Sequence, residues 1–192
     1  MKRLMDILGS LFLLVAGAPL LAACGLAVRL SSPGPVLFAQ WRLGLRGRPF
    51  RLYKFRTMRY GAPDIRNADG SAFSSAEDPR VTRAGHFLRQ TSLDELPQLV
   101  NVLFGDMSLV GPRPDQVDQL SYYTVEERRK LDAKPGLTGL AQIGGRNSIP
   151  WQERKRLDIA YVENQSLLLD CRILLRTIPY VLLRKDINAV AK

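Results

Sequence analysis

From position 7 to position 28 the chain carries no charged residue, and as a continuous helix this run would reach about 33 Å, enough to cross a bilayer core. Lys2 and Arg3 precede it; Arg29, Arg42, Arg46 and Arg48 follow. Basic flanks stay on the cytoplasmic side, so both ends are drawn to one face of the membrane. Pro19, near the middle of the run, removes a backbone hydrogen bond and permits a bend. The pattern predicts a segment that enters one leaflet and returns, with a plain spanning helix as the alternative. The run is longer than the apolar part of a signal peptide and no small-residue cleavage site follows it, so the segment is expected to be retained.

After the breaker cluster Ser31-Ser32-Pro33-Gly34-Pro35, residues 36–41 and 50–58 are rich in aromatic and branched side chains and predict two strands joined by 44–49. The second places Lys54 and Arg56 on one face by its period of two, as a solvated edge also would. Residues 59–80 turn to Gly, Ala, Ser, Asp and Asn and predict a mobile surface loop. Apolar positions 96, 99, 100 and 103 then follow helical spacing, with Ser92 and Glu95 spaced as a capping box and Pro97 in the first turn. A second capping box, Thr124 with Glu127, predicts a short charged helix to about 133. Four glycines between 136 and 147 predict a loop that permits close backbone approach to a ligand. Ser148 is placed to cap a helix reaching about 164, in which Arg154 and Asp158 form a surface ion pair. From 167 to 192, leucine, isoleucine and tyrosine alternate with Arg172, Arg176, Arg184 and Lys185, as in a helix on an anionic membrane surface or one packed on the domain.

Composition narrows the partner. With 192 residues the chain has the length of one domain, and a formal charge of +10 calls for something anionic: nucleic acid, a lipid surface or a phosphorylated substrate. Cys24 and Cys171 are too few and too far apart for a disulfide framework or a zinc site, which fits a reducing compartment, and His86 alone builds no histidine metal site. A recognition helix or aromatic platform for nucleic acid is not evident.

Asp94 and Glu95 stand at the start of the central helix, where acidic residues ordinarily complement the helix dipole. Arg89 before them and Arg113, held between Pro112 and Pro114, give the pair a second reading. Adjacent carboxylates beside rigidly placed arginines suit a phosphate with a divalent metal, and an ionised aspartate is also a nucleophile.

The chain resembles the small monotopic phosphoglycosyl transferases of the bacterial sugar transferase family over nearly its whole length. The resemblance rests on the apolar segment broken at Pro19, on Tyr53-Lys54-Phe55-Arg56-Thr57-Met58, on Ser92-Leu93-Asp94-Glu95-Leu96-Pro97-Gln98-Leu99, on Gly105-Asp106-Met107-Ser108 with Gly111-Pro112-Arg113-Pro114, and on the stretch from Lys134-Pro135-Gly136 to Gly145-Arg146-Asn147. Where the family often has serine before the helix-breaking proline, this chain has Ala18. The resemblance implies transfer of a sugar 1-phosphate from a UDP-sugar to a polyprenol phosphate, such as undecaprenyl phosphate, at the cytoplasmic face of the bacterial inner membrane, with Mg2+ as cofactor and UMP as leaving group. It implies Asp94 as the nucleophile and Glu95 as the residue that helps hold the metal. Lys54, Arg56, Arg89, Arg113 and Arg146 are the candidate phosphate-binding cations, with Gln142 and Asp158 carried over more weakly. The expected architecture is α+β and mostly helical: a re-entrant membrane helix over 1–32, then a membrane-associated catalytic domain over 33–192 with a small β-hairpin and amphipathic interfacial helices. No appended nucleotide-binding or sensor domain is expected. The rival classes are a non-catalytic basic membrane-surface scaffold and a nucleic-acid-binding module.

Overall fold

Helix α1, Lys2–Ala16, and helix α2, Ala18–Ser31, are the two halves of the apolar run, and they meet at a bend of 64°. The computed structural model describes residues 1–67, 73, 75, 77–146 and 148–183. The break falls at Gly17, where an added Cβ would lie 2.6 Å from the Leu13 carbonyl oxygen, and Pro19 follows in the first turn of α2, a position that proline tolerates. Among the described residues no single helix is long and apolar enough to cross a membrane. Leu8, Phe12, Val15, Leu26 and Leu30 nonetheless stand more than half exposed on the pair.

Both ends of the bent pair are tied to the rest of the protein by polar contacts. At the start of α1, Lys2 Nζ donates to the Val110 carbonyl and to Asp170, Arg3 donates to the Val102 and Leu103 carbonyls, and buried Asp6 accepts from Ser108 Oγ and the Leu109 N–H. At the end of α2, Arg56 donates to the carbonyls of Ser32 and Pro33, both at 2.6 Å, and reaches that of Val28 at 3.5 Å. These are carbonyls that a helix end and its following turn leave without partners, and a buried guanidinium satisfies them. Arg56→Ala should therefore lower stability by about 2–4 kcal/mol. The check is the thermal unfolding midpoint in detergent, and an unchanged midpoint would mean that water replaces the guanidinium without loss.

The predicted hairpin forms with shifted ends: β1, Leu37–Leu43, pairs antiparallel with β2, Pro49–Phe55, Phe38 facing Lys54 and Arg42 facing Phe50. Arg56 lies beyond the strand, which is why it leaves the face that Lys54 occupies. The loop after β2 is held at its ends: the Arg59 N–H donates to the Arg80 carbonyl, and Arg80 pairs with Asp78 and donates to the Pro63 carbonyl. Positions 68–72, 74 and 76 of that loop, Asn147, and Arg184 and Lys185 of the tail lie outside the described residues.

Helix α3, Arg83–Thr91, packs Leu88 against Cys24 and Val28 of α2 and Phe55 of β2. Helix α4, Gln98–Phe104, places Leu99 and Val102 in the main core with Phe50 and Leu52 of β2. Strands β3, Ser108–Val110, and β4, Gly136–Thr138, pair in parallel in that core, so the predicted glycine loop is instead strand β4 followed by helix α5, Leu140–Ile143. Gly136 is needed there, since a Cβ would come within 2.0 Å of the Gly111 nitrogen. The Thr124–Glu127 box forms in both directions, but it opens a 3-10 turn, Glu127–Asp132, rather than an α-helix. Helix α6, Trp151–Glu163, starts after Pro150, because the Ser148 hydroxyl turns back to the Gly145 carbonyl instead of capping. Helix α7, Leu167–Leu182, buries Asp170 and Ile173 and leaves Leu168, Leu175, Ile178 and Leu182 exposed. The fold is α+β, as expected. His86 is half-buried, and the two cysteines are free, Cys24 buried and Cys171 exposed.

Candidate active site

Ser92 closes α3 in the left-handed region at φ 58°, so it cannot adopt the extended backbone of an N-cap, and the capping box predicted with Glu95 does not form. Residues Leu93–Glu95 make a 3-10 turn instead, and Leu96 and Pro97 lead from it into α4. The two carboxylates thus sit on a tight turn ahead of the helix rather than in its first turn. Arg146, also left-handed at φ 48°, donates from Nη1 to Ser92 Oγ at 3.0 Å. Two non-glycine residues held in a sparsely populated conformation and bonded to each other mark a place where surrounding structure overrides local preference.

Asp94 and Glu95 are adjacent and chemically alike, yet their surroundings differ. Glu95 Oε1 accepts from Arg113 Nη2 at 2.9 Å and lies 3.9 Å from Arg146 Nη2. Burial alone would raise its pKa, but the Arg113 and Arg146 charges outweigh it and hold Glu95 down at about 2. Asp94 is 8 % exposed, and among the described residues none donates a hydrogen bond to its carboxylate. Burial first, and the neighbouring Glu95 charge second, push its pKa up to about 6 against the pull of Lys54, Arg89 and Arg146. One carboxylate is clamped and the other is left uncommitted.

Cations surround the pair. Lys54, half-buried on the inner face of β2, has its pKa lowered to about 8 by burial, with Asp94 pulling the other way and Arg42 and Arg89 adding to the depression. Its Nζ stands 5.4 Å from the centre of the Phe38 ring. Arg89 Nε donates to Thr57 Oγ1 at 2.9 Å, leaving its terminal nitrogens for other partners. Lys54, Arg89, Arg113 and Arg146 therefore meet around two carboxylates, a positive surplus suited to an anionic substrate.

Two expected site residues, Arg56 and Asp158, are engaged by other parts of the protein. Arg56 is engaged at the end of α2. Asp158 is not in a surface pair with Arg154: it is 1 % exposed, 2.9 Å from Lys130 Nζ, and its Oδ1 accepts from the Arg113 N–H at 3.3 Å. It holds the backbone of Arg113 rather than facing a ligand. Gln142 is buried on α5, and among the described residues neither its Oε1 nor its Nε2 finds a hydrogen-bond partner. Sequence reasoning missed Arg42, which donates to the Pro114 carbonyl at 3.3 Å, and the group beneath the Arg113 loop, where buried Lys130 bridges Asp115 at 2.6 Å and Asp158 while the Tyr123 hydroxyl bonds Asp115. Their partners lie far apart in sequence, so no spacing rule finds them.

The same place offers oxygen donors of the kind that a metal would need. Among the described residues no three acidic, histidine or cysteine side chains are grouped to hold an ion by themselves. Glu95 Oε2 and the Asp94 carboxylate are nonetheless hard oxygen donors beside the cation ring, which fits magnesium, an ion that uses one or two carboxylates and completes its shell with substrate phosphates and water.

A family model described as bacterial sugar transferase matches residues 1–184. The chain is 46 % identical to the uncharacterized sugar transferase EpsL of Bacillus subtilis, over 98 % of this chain and 90 % of that protein. It is also 46 % identical to a UDP-glucose:undecaprenyl-phosphate glucose-1-phosphate transferase of Caulobacter vibrioides, over 94 % of this chain and 69 % of the relative. An undecaprenyl-phosphate galactose phosphotransferase of Salmonella typhimurium is 41 % identical over 97 % of this chain, which spans only 41 % of it.

Proposed function

The chain belongs to the bacterial sugar transferase family, and from that premise we propose that it moves a sugar 1-phosphate from a UDP-sugar to a polyprenol phosphate, with UMP as leaving group. The observation that carries this reading is the asymmetry of the carboxylates: Glu95 is held by Arg113 while Asp94, buried beside Lys54 and Arg89, has no hydrogen-bond donor among the described residues. An ionised carboxylate stripped of partners is a competent nucleophile. In the first step an Asp94 oxygen bonds to the β-phosphorus, the bond to the UMP oxygen breaks, and the sugar phosphate is held as an acyl phosphate. In the second, an oxygen of the lipid phosphate bonds to the same phosphorus and the Asp94 carboxylate leaves with its electron pair. Lys54, Arg89, Arg113 and Arg146 hold and neutralise the phosphate oxygens through both displacements. Glu95, with Asp94, would hold Mg2+, which when bound supplies further neutralisation of the diphosphate. Enzyme given a UDP-sugar without lipid should release about one UMP per active site and gain a sugar-phosphate mass on the peptide containing Asp94. UMP release only after lipid addition would mean direct transfer and would remove the nucleophile role.

Arg113 is the cation whose geometry is most constrained, by flanking prolines, by its bond to Glu95 and by Asp158 at its N–H. Arg113→Lys replaces a planar fork with a point charge and should lower kcat/KM by about 10- to 150-fold, roughly 1–3 kcal/mol. Steady-state kinetics with the UDP-sugar check it, and unchanged turnover would leave Arg113 a purely structural role.

The acceptor places the reaction at a membrane, and the bent helix pair supports a re-entrant anchor on the cytoplasmic face of the bacterial inner membrane. Lys2, Arg3 and Asp6 at one end and Val28 to Pro33 at the other bind the same body, while exposed Phe12, Val15 and Leu20 lie around the bend. In a background with Cys24 and Cys171 replaced by alanine, single cysteines at positions 2 and 42 should both resist an impermeant reagent in intact spheroplasts. Labelling at position 2 alone would make the segment a spanning one.

A further inference from the structure

We infer that Asn101 is a positioning residue that sets Lys54 against Asp94 and Glu95, an inference that rests on the reaction proposed above. Asn101 is fully buried on α4. Its Nδ2 donates to the Arg51 carbonyl at 2.7 Å and, more weakly, to Asp106 Oδ2 at 3.4 Å, and its Oδ1 accepts from the Tyr53 N–H at 3.0 Å. Residues 51 and 53 of β2 turn these groups away from β1, so the amide occupies the free edge of the hairpin as the peptide group of a third strand would. The next residue is Lys54, whose ammonium faces Asp94, Glu95, Arg42 and Arg89. The helical path that carries Asn101 begins at the Leu93–Glu95 turn, and the backbone carbonyl of Asn101 accepts from the N–H groups of Gly105, Asp106 and Met107, the turn that leads into β3 and on to Arg113. A single side chain therefore fixes the cation strand to the helix that follows the turn bearing both carboxylates, and its own backbone starts the path to the arginine that clamps Glu95.

An ordinary buried asparagine would satisfy β2 and affect only stability, so the test must separate the two roles. Three variants are made in the full chain: Asn101→Ala, Asn101→Asp and, as a control on the same helix, core Val102→Ala. Asn101→Ala should lower kcat at least tenfold with the UDP-sugar KM within about twofold, while Val102→Ala keeps wild-type kcat. A protonated aspartic acid presents one O–H donor for the Arg51 carbonyl and one carbonyl acceptor for the Tyr53 N–H, and gives up only the longer contact to Asp106. Asn101→Asp should therefore regain kcat, as a ratio to wild type at each pH, as the pH falls towards 6. A readout that needs no turnover is the pH of half-maximal acetylation of Lys54, which should move upward in Asn101→Ala and stay in Val102→Ala. Equal kcat losses in Asn101→Ala and Val102→Ala, wild-type kcat in folded Asn101→Ala, or an unfolded Asn101→Ala together with no acid rescue of Asn101→Asp would each overturn the inference. If wild-type enzyme releases no UMP from any UDP-sugar, the proposed reaction fails instead, and the Lys54 labelling still decides the placement.

Discussion

Asp94→Asn is expected to lower turnover on the order of 10^4-fold or more and to abolish both UMP release without lipid and the sugar-phosphate adduct, since an amide cannot attack phosphorus and leave again. Glu95→Gln should behave differently. The pKa of Asp94 stands at about 6 because burial and then the Glu95 charge raise it. Asp94 must be ionised to attack, so kcat/KM should fall about tenfold per pH unit below 6 in the wild type. Removing the Glu95 charge takes away the repulsion that raises Asp94 and frees Arg113 and Arg146 from their neutralising partner, and both changes lower the Asp94 pKa. The acid limb of Glu95→Gln should then lie at lower pH than that of the wild type, with a smaller maximum and a higher magnesium requirement. A pH profile of kcat/KM checks the sign. An acid limb that stays near 6 in Glu95→Gln would mean that another group titrates, and Asp94→Asn with substantial turnover would remove the nucleophile role from Asp94.

The segment from Leu88 to Pro114 was legible because its chemistry is local: two adjacent carboxylates, an arginine between prolines and a helical apolar stripe can be read without knowing what lies opposite. The hairpin and the break near Pro19 were legible for the same reason. What escaped depends on partners distant in the chain. The spacing of Arg154 and Asp158 fits an exposed i,i+4 pair, but helix α6 turns Asp158 inward because Lys130, on the Glu127–Asp132 turn, supplies its countercharge. Ser92 has the residue type and spacing of a cap, yet its hydroxyl serves Arg146 and its backbone is left-handed. Arg56 follows the alternation that would place it with Lys54, but β2 ends first and the unpaired carbonyls after α2 capture it.

The buried group beneath the Arg113 loop is where the largest loss of stability is expected. Lys130 is 3 % exposed and bridges Asp115 at 2.6 Å and Asp158 at 2.9 Å. Burial raises the pKa of both carboxyls; at Asp115 the Lys130 charge outweighs it, and at Asp158 it does not. Lys130→Met fits the apolar part of the side chain but leaves two like carboxyls facing each other without the cation that bridges them, and removing one partner of a buried ion pair costs about 3–5 kcal/mol. One carboxyl can escape part of that cost by taking up a proton, so the loss should be greatest at high pH and shrink as the pH falls. Replacing all three groups, as Lys130→Met with Asp115→Asn and Asp158→Asn, removes the unpaired charge and should recover much of the stability. Activity should not recover with it, because Asp158 also accepts from the Arg113 N–H and an amide oxygen is a weaker acceptor there than a carboxylate. Thermal unfolding and UMP release measured on the same preparations separate the two effects. A single Lys130→Met variant as stable as the wild type would mean that water reaches the carboxyls, and a triple variant with full activity would remove Asp158 from the support of Arg113.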